Sequence, residues 1–204
     1  MTRIEIDPDA VGAGPTYSWL TSVVVPRPIA WVSTTSATGI DNLAPHSFFT
    51  VSSQDPPVVQ FTSVGRKDSL RNVEETGEFV VNIATEALAL IVNQTATNYP
   101  REQGEFDAVG VERELSARVR PPRVRASPVA LECVCVGFRP FGETDAASTV
   151  VFGRVVHLAV DESVVRDGRV QIDLLRPVAR LGGPQWATIG EVLKIHRQRY
   201  AAPQ

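Results

Sequence analysis

Two stretches of this chain carry side chains that could together hold a flat, phosphate-bearing cofactor. The first, NLAPHSFF at residues 42–49, has proline and serine interrupting an extended run, a histidine in the middle and two aromatic residues at its end. The second, SVGRKDSLRN at residues 63–72, holds a glycine, three basic residues and a helix start. Because proline removes a backbone donor and restricts the chain, the first stretch is unlike a core strand. We predict that the two stretches form one binding site.

The second stretch offers a phosphate site. Arg66, Lys67 and the hydroxyl of Ser69 stand at or near a predicted helix N-terminus, where free N–H groups and a partial positive charge favour an anion. The residues expected around the phosphate are Ser63, Val64, Gly65, Arg66, Lys67 and Ser69, with Ser33 and Thr34 as secondary candidates. Taken alone, the two basic residues are typical of a solvated surface. Other positions for the phosphate are Arg27 and the basic loop RVRPPRVR at residues 118–125.

The first stretch offers a wall for the flat ring. We expect the ring along His46, Ser47, Phe48 and Phe49. Pro45 bends the chain before them, which could leave their backbone N–H groups free to point at the ligand. In the alternative interpretation the two phenylalanines lie on opposite faces of a strand, one in the core and one at an interface. The main-chain role of the segment is the stronger hypothesis.

Composition excludes several classes of function. The 204 residues carry 20 basic and 23 acidic side chains, a net charge of −3, which disfavours non-specific binding to nucleic acid. The longest aliphatic run, at residues 87–92, is too short to span a membrane. The two cysteines, Cys133 and Cys135, are predicted to be reduced and apolar, without a metal. These features predict a soluble, cytoplasmic protein.

The elements that must position the site are mainly strands. Strands are predicted over residues 27–36, 42–53, 57–64, 79–84, 128–138 and 149–160, the first two forming a hairpin. One helix is predicted to begin at Asp68 or Ser69 as its cap and to end at Gly77, and another covers residues 87–97. The remaining segments are predicted as an irregular arm over residues 1–22, a loop over 98–107, a polar hairpin within 162–176, a glycine-rich loop over 180–186 and a tail over 191–204.

About six strands in short hairpins with few helices favour a small β-barrel decorated by helices, and nothing in the sequence suggests a second domain within residues 1–204. Gly153, inside the last long strand, predicts a bulge or a close backbone approach. Strands do not alternate regularly with helices, so a doubly wound parallel fold is disfavoured. The glycine patterns of Rossmann and P-loop nucleotide sites are missing from the sequence.

The order of motifs from residue 27 to residue 84, followed by EFDAVGVE, SPVALEC, VVFGRVVHL and RPVARLGGPQW, resembles the flavin reductase-like, or flavoredoxin-like, family of FMN-binding split-barrel proteins. The likeness covers about residues 23–190. Two positions depart from the family pattern. Ser69 replaces a usual threonine but keeps the hydroxyl. Trp186 replaces a usual tyrosine, which keeps a stacking surface but changes the hydrogen bond.

The resemblance implies a six-stranded Greek-key split barrel with helical insertions, usually a homodimer. It implies FMN, or sometimes FAD, as the cofactor, and NADH or NADPH as the hydride donor. Reduced flavin would pass to an acceptor such as a partner monooxygenase. Some family members instead act as flavin-binding electron carriers without NAD(P)H activity, and loss of flavin for another ligand is a weaker alternative.

Hydride transfer to flavin N5 requires stacked rings rather than a catalytic triad. The sequence accordingly shows no G-x-S-x-G elbow. His46 and His157 are candidates for orienting the nicotinamide or protonating the reduced flavin, although a structural role is the better interpretation for His157. His196 is predicted to be exposed.

Overall fold

The structure, a computed structural model, describes residues 1–143, 147–198 and 200. Its strands, in chain order, are β1 (Arg27–Pro28), β2 (Ala30–Thr35), β3 (Asp41–His46), β4 (Phe49–Gln54), β5 (Pro57–Val64), β6 (Glu78–Ile83), β7 (Arg113–Glu114), β8 (Arg123–Val124), β9 (Val129–Phe141), β10 (Ser148–Val160), β11 (Val165–Arg166), β12 (Arg169–Val170), β13 (Val178–Arg180) and β14 (Trp186–Thr188). Its α-helices are α1 (Pro8–Val11), α2 (Ala13–Val23), α3 (Asp68–Thr76), α4 (Ala89–Gln94), α5 (Glu105–Val109) and α6 (Ile172–Leu175). Short 3₁₀ turns cover Glu86–Leu88 and Glu162–Val164. The prediction of a mainly β protein is confirmed.

The main sheet has seven antiparallel strands in the order β3-β2-β6-β9-β10-β5-β4. Strands β3 and β4 lie at its two ends, yet only Ser47 and Phe48 separate them in the chain. This short link brings the two edges of the sheet together, and the Nδ1 atom of His46 lies 3.3 Å from the carbonyl oxygen of Thr62 on β5. The sheet therefore curls into a barrel whose seam is at the NLAPHSFF stretch.

The predicted hairpin of residues 27–36 and 42–53 is wrong in its second arm. β3 pairs with β2 as expected, but β4 pairs with β5 on the other side of the barrel. Pro45 does not end β3, because proline is tolerated on an edge strand. The change of partner happens after His46, where the chain crosses the seam.

Strand β2 is buried on both faces, which explains its continuous apolar and hydroxyl-bearing sequence. Ala30 and Val32 face the barrel interior, while Ile29 and Trp31 belong to a second core cluster outside the barrel. That second cluster includes Val92 of α4 and extends to α5. The two helices therefore cover the outer face of the strands that carry the cavity described below.

Helix α3 closes one end of the barrel. Its Leu70 and Val73 are buried in the interior cluster, and Gly77 ends it in the left-handed conformation with φ 73°, as predicted. The predicted caps, Asp68 and Ser69, are wrong. The N-cap is Lys67, and no side chain of the described residues caps the helix.

Other helical predictions also change. Residues 1–22 form α1 and most of α2 rather than an irregular arm, and the predicted loop over 98–107 ends in α5. The helix expected over 87–97 is shortened to a 3₁₀ turn and α4. Gly104 packs so tightly that a Cβ there would lie 2.0 Å from the carbonyl oxygen of Asp41.

Several smaller predictions agree with the structure. Residues 165–170 form the expected small hairpin, Cys133 and Cys135 are free thiols, and residues 191–198 of the predicted tail have no regular structure. Gly153 lies at a bulge, and a Cβ there would lie 2.2 Å from Phe79 Cζ. None of the helices in the described residues is long and apolar enough to cross a membrane.

Candidate functional site

A cavity of about 540 Å³ opens beside the barrel seam, within the size range of small-molecule sites. Its walls come from α2, β3, the seam, the start of α3, the segment after α4, and the β13–β14 hairpin. Among the residues that line it are Tyr17, Asn42, His46, Ser47, Phe48, Val64, Arg66, Lys67, Asp68, Ser69, Arg71, Tyr99, Glu105, Arg180 and Trp186. The two stretches predicted from the sequence thus face one cavity.

One end of the cavity is suited to an anion. Helix α3 begins there without a side-chain cap from the described residues, so its first-turn N–H groups point their partial positive charge toward the cavity. Arg66 and Lys67 line the same end. Arg66 is also paired with Glu74 at 2.8 Å, and its side chain is 64% exposed, so Lys67 is the better-placed charge.

The other end of the cavity is aromatic. Phe48 at the seam lies against Tyr17 of α2, with a ring-centroid distance of 6.3 Å. Trp186 of β14 lies beneath the guanidinium of Arg180, 5.3 Å from its ring centroid. These planar side chains offer stacking surfaces for a flat ligand.

His46 is a buried, neutral histidine between the two ends. Its Nδ1 atom lies 3.3 Å from the carbonyl oxygen of Thr62, and its Nε2 atom lies 3.2 Å from Ser69 Oγ. Burial lowers the pKa of His46 to about 4, and the nearby charge of Lys67 acts in the same direction. Because a carbonyl only accepts, the neutral ring places its proton on Nδ1 and accepts from the Ser69 hydroxyl at Nε2.

Glu105 adds a carboxyl group to the cavity wall. Its Oε2 atom accepts a 2.7 Å hydrogen bond from the backbone N–H of Leu43. Burial raises the pKa of Glu105, and the charge of Asp68 raises it further. Asn42 lies between Glu105 and Ser69, and its Nδ2 atom is 3.1 Å from Ser69 Oγ. A continuous polar chain therefore runs beneath the anion end.

Three predicted residues do not line the cavity themselves, although the Arg27 guanidinium lies 5.9 Å from the ring centroid of Phe48, which does. Arg27 is buried and donates to the carbonyl oxygens of Thr21, Val24 and Leu181, fastening α2 to the loop before β14. Ser33 donates to the carbonyl oxygen of Pro122, and Thr34 accepts from Asn72 Nδ2 at 3.0 Å.

Four further candidates also lie outside the lining. Phe49 packs against the barrel core, and Ser63 donates to the carbonyl oxygen of Gly65 at 2.8 Å. Gly65 has φ +77°, so glycine is needed to turn the chain into Lys67. His157 stands on β10 opposite Glu132 of β9.

The sequence interpretation missed several lining residues: Tyr17, Tyr99, Glu105 and Arg180. Asn42, Asp68 and Arg71 also line the cavity; they lie within the two predicted stretches but were not singled out as site residues. Tyr17 was missed because α2 was not predicted. Glu105 had a signal, since Gly104 and Gly110 bracket a short segment with two acidic residues in its first turn, a pattern typical of a helix.

Comparisons with known proteins identify the class of protein. The flavin reductase like domain family matches residues 14–174. An uncharacterized protein of Halalkalibacterium halodurans is 35% identical over 202 residues, covering 95% of this chain and 96% of the relative.

Two solved structures extend the likeness. Nitrilotriacetate monooxygenase component B from Bacillus cereus is 32% identical, with a TM-score of 0.91 over 96% of this chain and 100% of that one. The 2-nitrobenzoate 2-nitroreductase of Pseudomonas fluorescens is 28% identical, with a TM-score of 0.89 over 98% and 99% of the two chains.

The fold is a split β-barrel. The chain belongs to the flavin reductase-like family, which confirms the resemblance found in the sequence.

Proposed function

We propose that this protein is an FMN-binding oxidoreductase that uses NADH or NADPH to reduce flavin by hydride transfer to N5. The reduced flavin would pass to an acceptor or to a partner monooxygenase. One observation carries the proposal. The start of α3, which no side chain in the described part of the chain caps, faces with Lys67 and Ser69 the same cavity as Phe48 and Trp186.

The residues present fit FMN. A phosphate needs donors and positive charge, which the α3 N-terminus, Arg66 and Lys67 supply. A flat ring needs a planar apolar surface, which Phe48 and Trp186 supply. When bound, FMN provides the redox chemistry, while the protein provides binding, orientation and electrostatics.

The proposed role of His46 is to orient rather than to donate a proton. Its pKa of about 4 keeps the imidazole neutral at pH 7, and Thr62 and Ser69 already engage both of its ring nitrogens. In this arrangement His46 holds the Ser69 hydroxyl at the anion end. No proton transfer is needed for the hydride step itself.

A homodimer is part of the proposal, supported by exposed apolar side chains on the last part of β9. Val136, Phe138 and Phe141 there are 55%, 41% and 57% exposed. Exposed apolar side chains that form a contiguous patch are typical of protein interfaces. Light scattering during size exclusion tests the dimer directly.

The proposed partner is a monooxygenase that consumes reduced flavin. Support comes from the similar Bacillus cereus protein, which is component B of nitrilotriacetate monooxygenase. For this chain the acceptor is tested by adding candidate acceptors to enzyme, FMN and NADH and measuring their turnover.

The experiment for the activity is NADH and NADPH oxidation by the purified protein with FMN, FAD or riboflavin added. We expect flavin-dependent oxidation that saturates with FMN. Binding of FMN without oxidation of either nicotinamide would instead support the electron-carrier alternative. Failure to bind any flavin would contradict both and would favour a split barrel with another ligand.

A further inference from the structure

Three neighbouring strands place two arginines and a tryptophan in one row at the aromatic end of the cavity. The small sheet has the order β1-β13-β14, and within it Arg27 lies opposite Arg180, which in turn lies opposite Trp186. Residues directly opposite on antiparallel strands point to the same face of a sheet. Arg180 and Trp186 line the cavity, so this face of the sheet is turned toward it.

The two arginines of the row have no acidic partner. Neither Arg27 nor Arg180 forms a salt bridge within the part of the chain that the structure describes. By contrast, Arg66 and Arg71, which line the same cavity, each pair with a carboxylate, at 2.8 Å and 3.1 Å. Like charges directly opposite one another destabilise a sheet. An anion bound on this face would offset the repulsion between the two guanidinium groups.

Arg27 adds a permanent positive charge to the row without itself lining the cavity. Only 8% of it is exposed, and its terminal nitrogens donate to the carbonyl oxygens of Thr21, Val24 and Leu181. Its Nε atom is buried and has no hydrogen-bond partner among the described residues. Burial lowers the pKa of Arg27, but a guanidinium keeps its proton in proteins. The charge next to Arg180 is therefore present at every ordinary pH.

Arg180 is the member of the row that can contact an anion. Its guanidinium lies 5.3 Å from the ring centroid of Trp186, and its Nη2 atom donates to the carbonyl oxygen of Gly183 at 2.7 Å. These two contacts orient the guanidinium, and its other N–H groups have no partner among the residues that the structure describes. A guanidinium presents its donors as a planar fork, which matches phosphate oxygens in pairs.

The hairpin that carries Arg180 is held firmly in place. The backbone N–H of Leu181 donates to the carbonyl oxygen of Gln185 at 2.9 Å, which closes the β13–β14 turn. Gly182 packs so closely on α2 that a Cβ there would lie 2.7 Å from Ser22 Oγ. Binding groups on such a rigid support need little rearrangement to meet a ligand.

We infer that Arg180 forms a second phosphoryl site in the cavity, which binds the diphosphate of a dinucleotide. The inference rests on the proposed function, in which the start of α3 takes the phosphate of FMN and a nicotinamide dinucleotide supplies the hydride. The diphosphate of that donor meets the positive charge of Arg180, reinforced by Arg27. FAD carries a diphosphate as well, so the experiment must distinguish the donor from the flavin as its source.

The test is the binding of ADP-ribose, which carries the diphosphate but neither a nicotinamide nor a flavin. It is titrated by calorimetry into the wild type and into Arg180→Gln, each both flavin-free and saturated with FMN. We expect the substitution to raise the dissociation constant of ADP-ribose about tenfold or more, the effect of losing a hydrogen bond between charged groups. The affinity for FMN should be nearly unchanged, because its phosphate is expected at α3.

Two further variants control for charge and folding. Arg169→Gln removes the same charge from an exposed arginine of β12 outside the cavity lining, and it should leave ADP-ribose binding unaltered. Arg180→Lys keeps the charge but not the fork, so its loss of affinity should be intermediate. Equal affinity for ADP-ribose in the wild type and both Arg180 variants would overturn the inference.

Titrations with FAD and FMN identify the source of the diphosphate. Binding of ADP-ribose to the FMN-saturated wild type assigns the site to the nicotinamide donor. Binding to the flavin-free protein alone, with FAD but not FMN weakened in Arg180→Gln, keeps the site and assigns it to the flavin. If Arg180→Gln weakens FMN as much as ADP-ribose, the guanidinium serves FMN itself and the inference is wrong.

Kinetics give an independent readout if the donor is the source. Arg180→Gln should then raise the KM for NADH or NADPH with little change in kcat, because the diphosphate is remote from the reacting atoms. A fall in kcat at unchanged KM would place Arg180 against the reacting rings and contradict the inference. The ADP-ribose titration itself needs no flavin reduction. A protein that binds ADP-ribose through Arg180 but reduces no flavin would therefore contradict only the proposed function.

Discussion

Reversing the charge of Lys67 is the sharpest perturbation of the proposed phosphate site. Lys67 is exposed and lines the anion end of the cavity. The dielectric constant of water therefore gives a lower bound for its interaction with a phosphate. Two unit charges about 4 Å apart then interact with ~1 kcal/mol. Lys67→Glu replaces one attraction by one repulsion, a change of ~2 kcal/mol. We therefore expect the FMN dissociation constant to rise about 30-fold, at 1.4 kcal/mol for each factor of ten.

Fluorescence titration of FMN measures this change, and the chain offers a matched control. Lys194→Glu makes the same change of net charge in the exposed tail and should leave FMN affinity unaltered. The effect of Lys67→Glu should shrink at high salt and be small for riboflavin. An FMN dissociation constant within twofold of wild type would refute the reasoning and move the phosphate elsewhere, with the loop over residues 118–125 as the next position to test.

Two further predictions concern stability. His46 has a folded pKa of about 4 against an ordinary value near 6.5, so the unfolded chain binds its proton first as pH falls. The free energy of unfolding in urea should therefore drop by about 3 kcal/mol from pH 7 to pH 4 through this group, and His46→Gln should lack that component. Gly153→Ala should destabilise the barrel by about 1–3 kcal/mol, because its Cβ would lie 2.2 Å from Phe79 Cζ, whereas Gly137→Ala on β9 meets nothing within 4 Å.

Each of these stability predictions has a clear contrary result. Equal pH dependence of the unfolding free energy in wild type and His46→Gln would mean that His46 is not buried in its neutral form. Equal stability of the two alanine variants would mean that the approach of Gly153 to Phe79 relaxes without cost.

The long strands and α3 could be predicted because their signals are local. β9, β10 and β5 are apolar runs rich in β-branched residues, and Gly77 ends α3 in the conformation that glycine favours. The strand pattern predicted a small barrel, and the family resemblance added the split-barrel topology, which periodicity alone does not determine.

The errors came from features that depend on distant contacts. Nothing local in NLAPHSFF indicates that its two halves pair with strands on opposite sides of the seam, since the pairing is decided by closure of the barrel. Ser33 and Thr34 were secondary phosphate candidates by residue type and stay predictions; nothing local in the sequence indicates that their hydroxyls contact Pro122 and Asn72 in the structure.

Glu105 shows that the candidate site, like the fold, contains a residue that sequence reasoning could not find because its position depends on distant contacts. The segment that carries it is about 60 residues away in sequence from Asn42, and the packing of α5 on β3, with Gly104 against Asp41, brings them together. A carboxyl group beneath a predicted phosphate site is unfavourable if ionised, so residue type alone does not point to Glu105. In the structure Glu105 accepts a hydrogen bond from the Leu43 N–H, and burial raises its pKa, which favours the uncharged acid.

The central claim is that this chain binds FMN and reduces it with a nicotinamide. The most direct test is the visible spectrum of the purified protein with FMN, recorded anaerobically before and after addition of NADH, and again with NADPH. We predict a protein-bound flavin spectrum that bleaches with at least one of the two donors. A bound flavin that remains oxidised with both, or a protein that leaves the spectrum of free FMN unchanged, would contradict the claim.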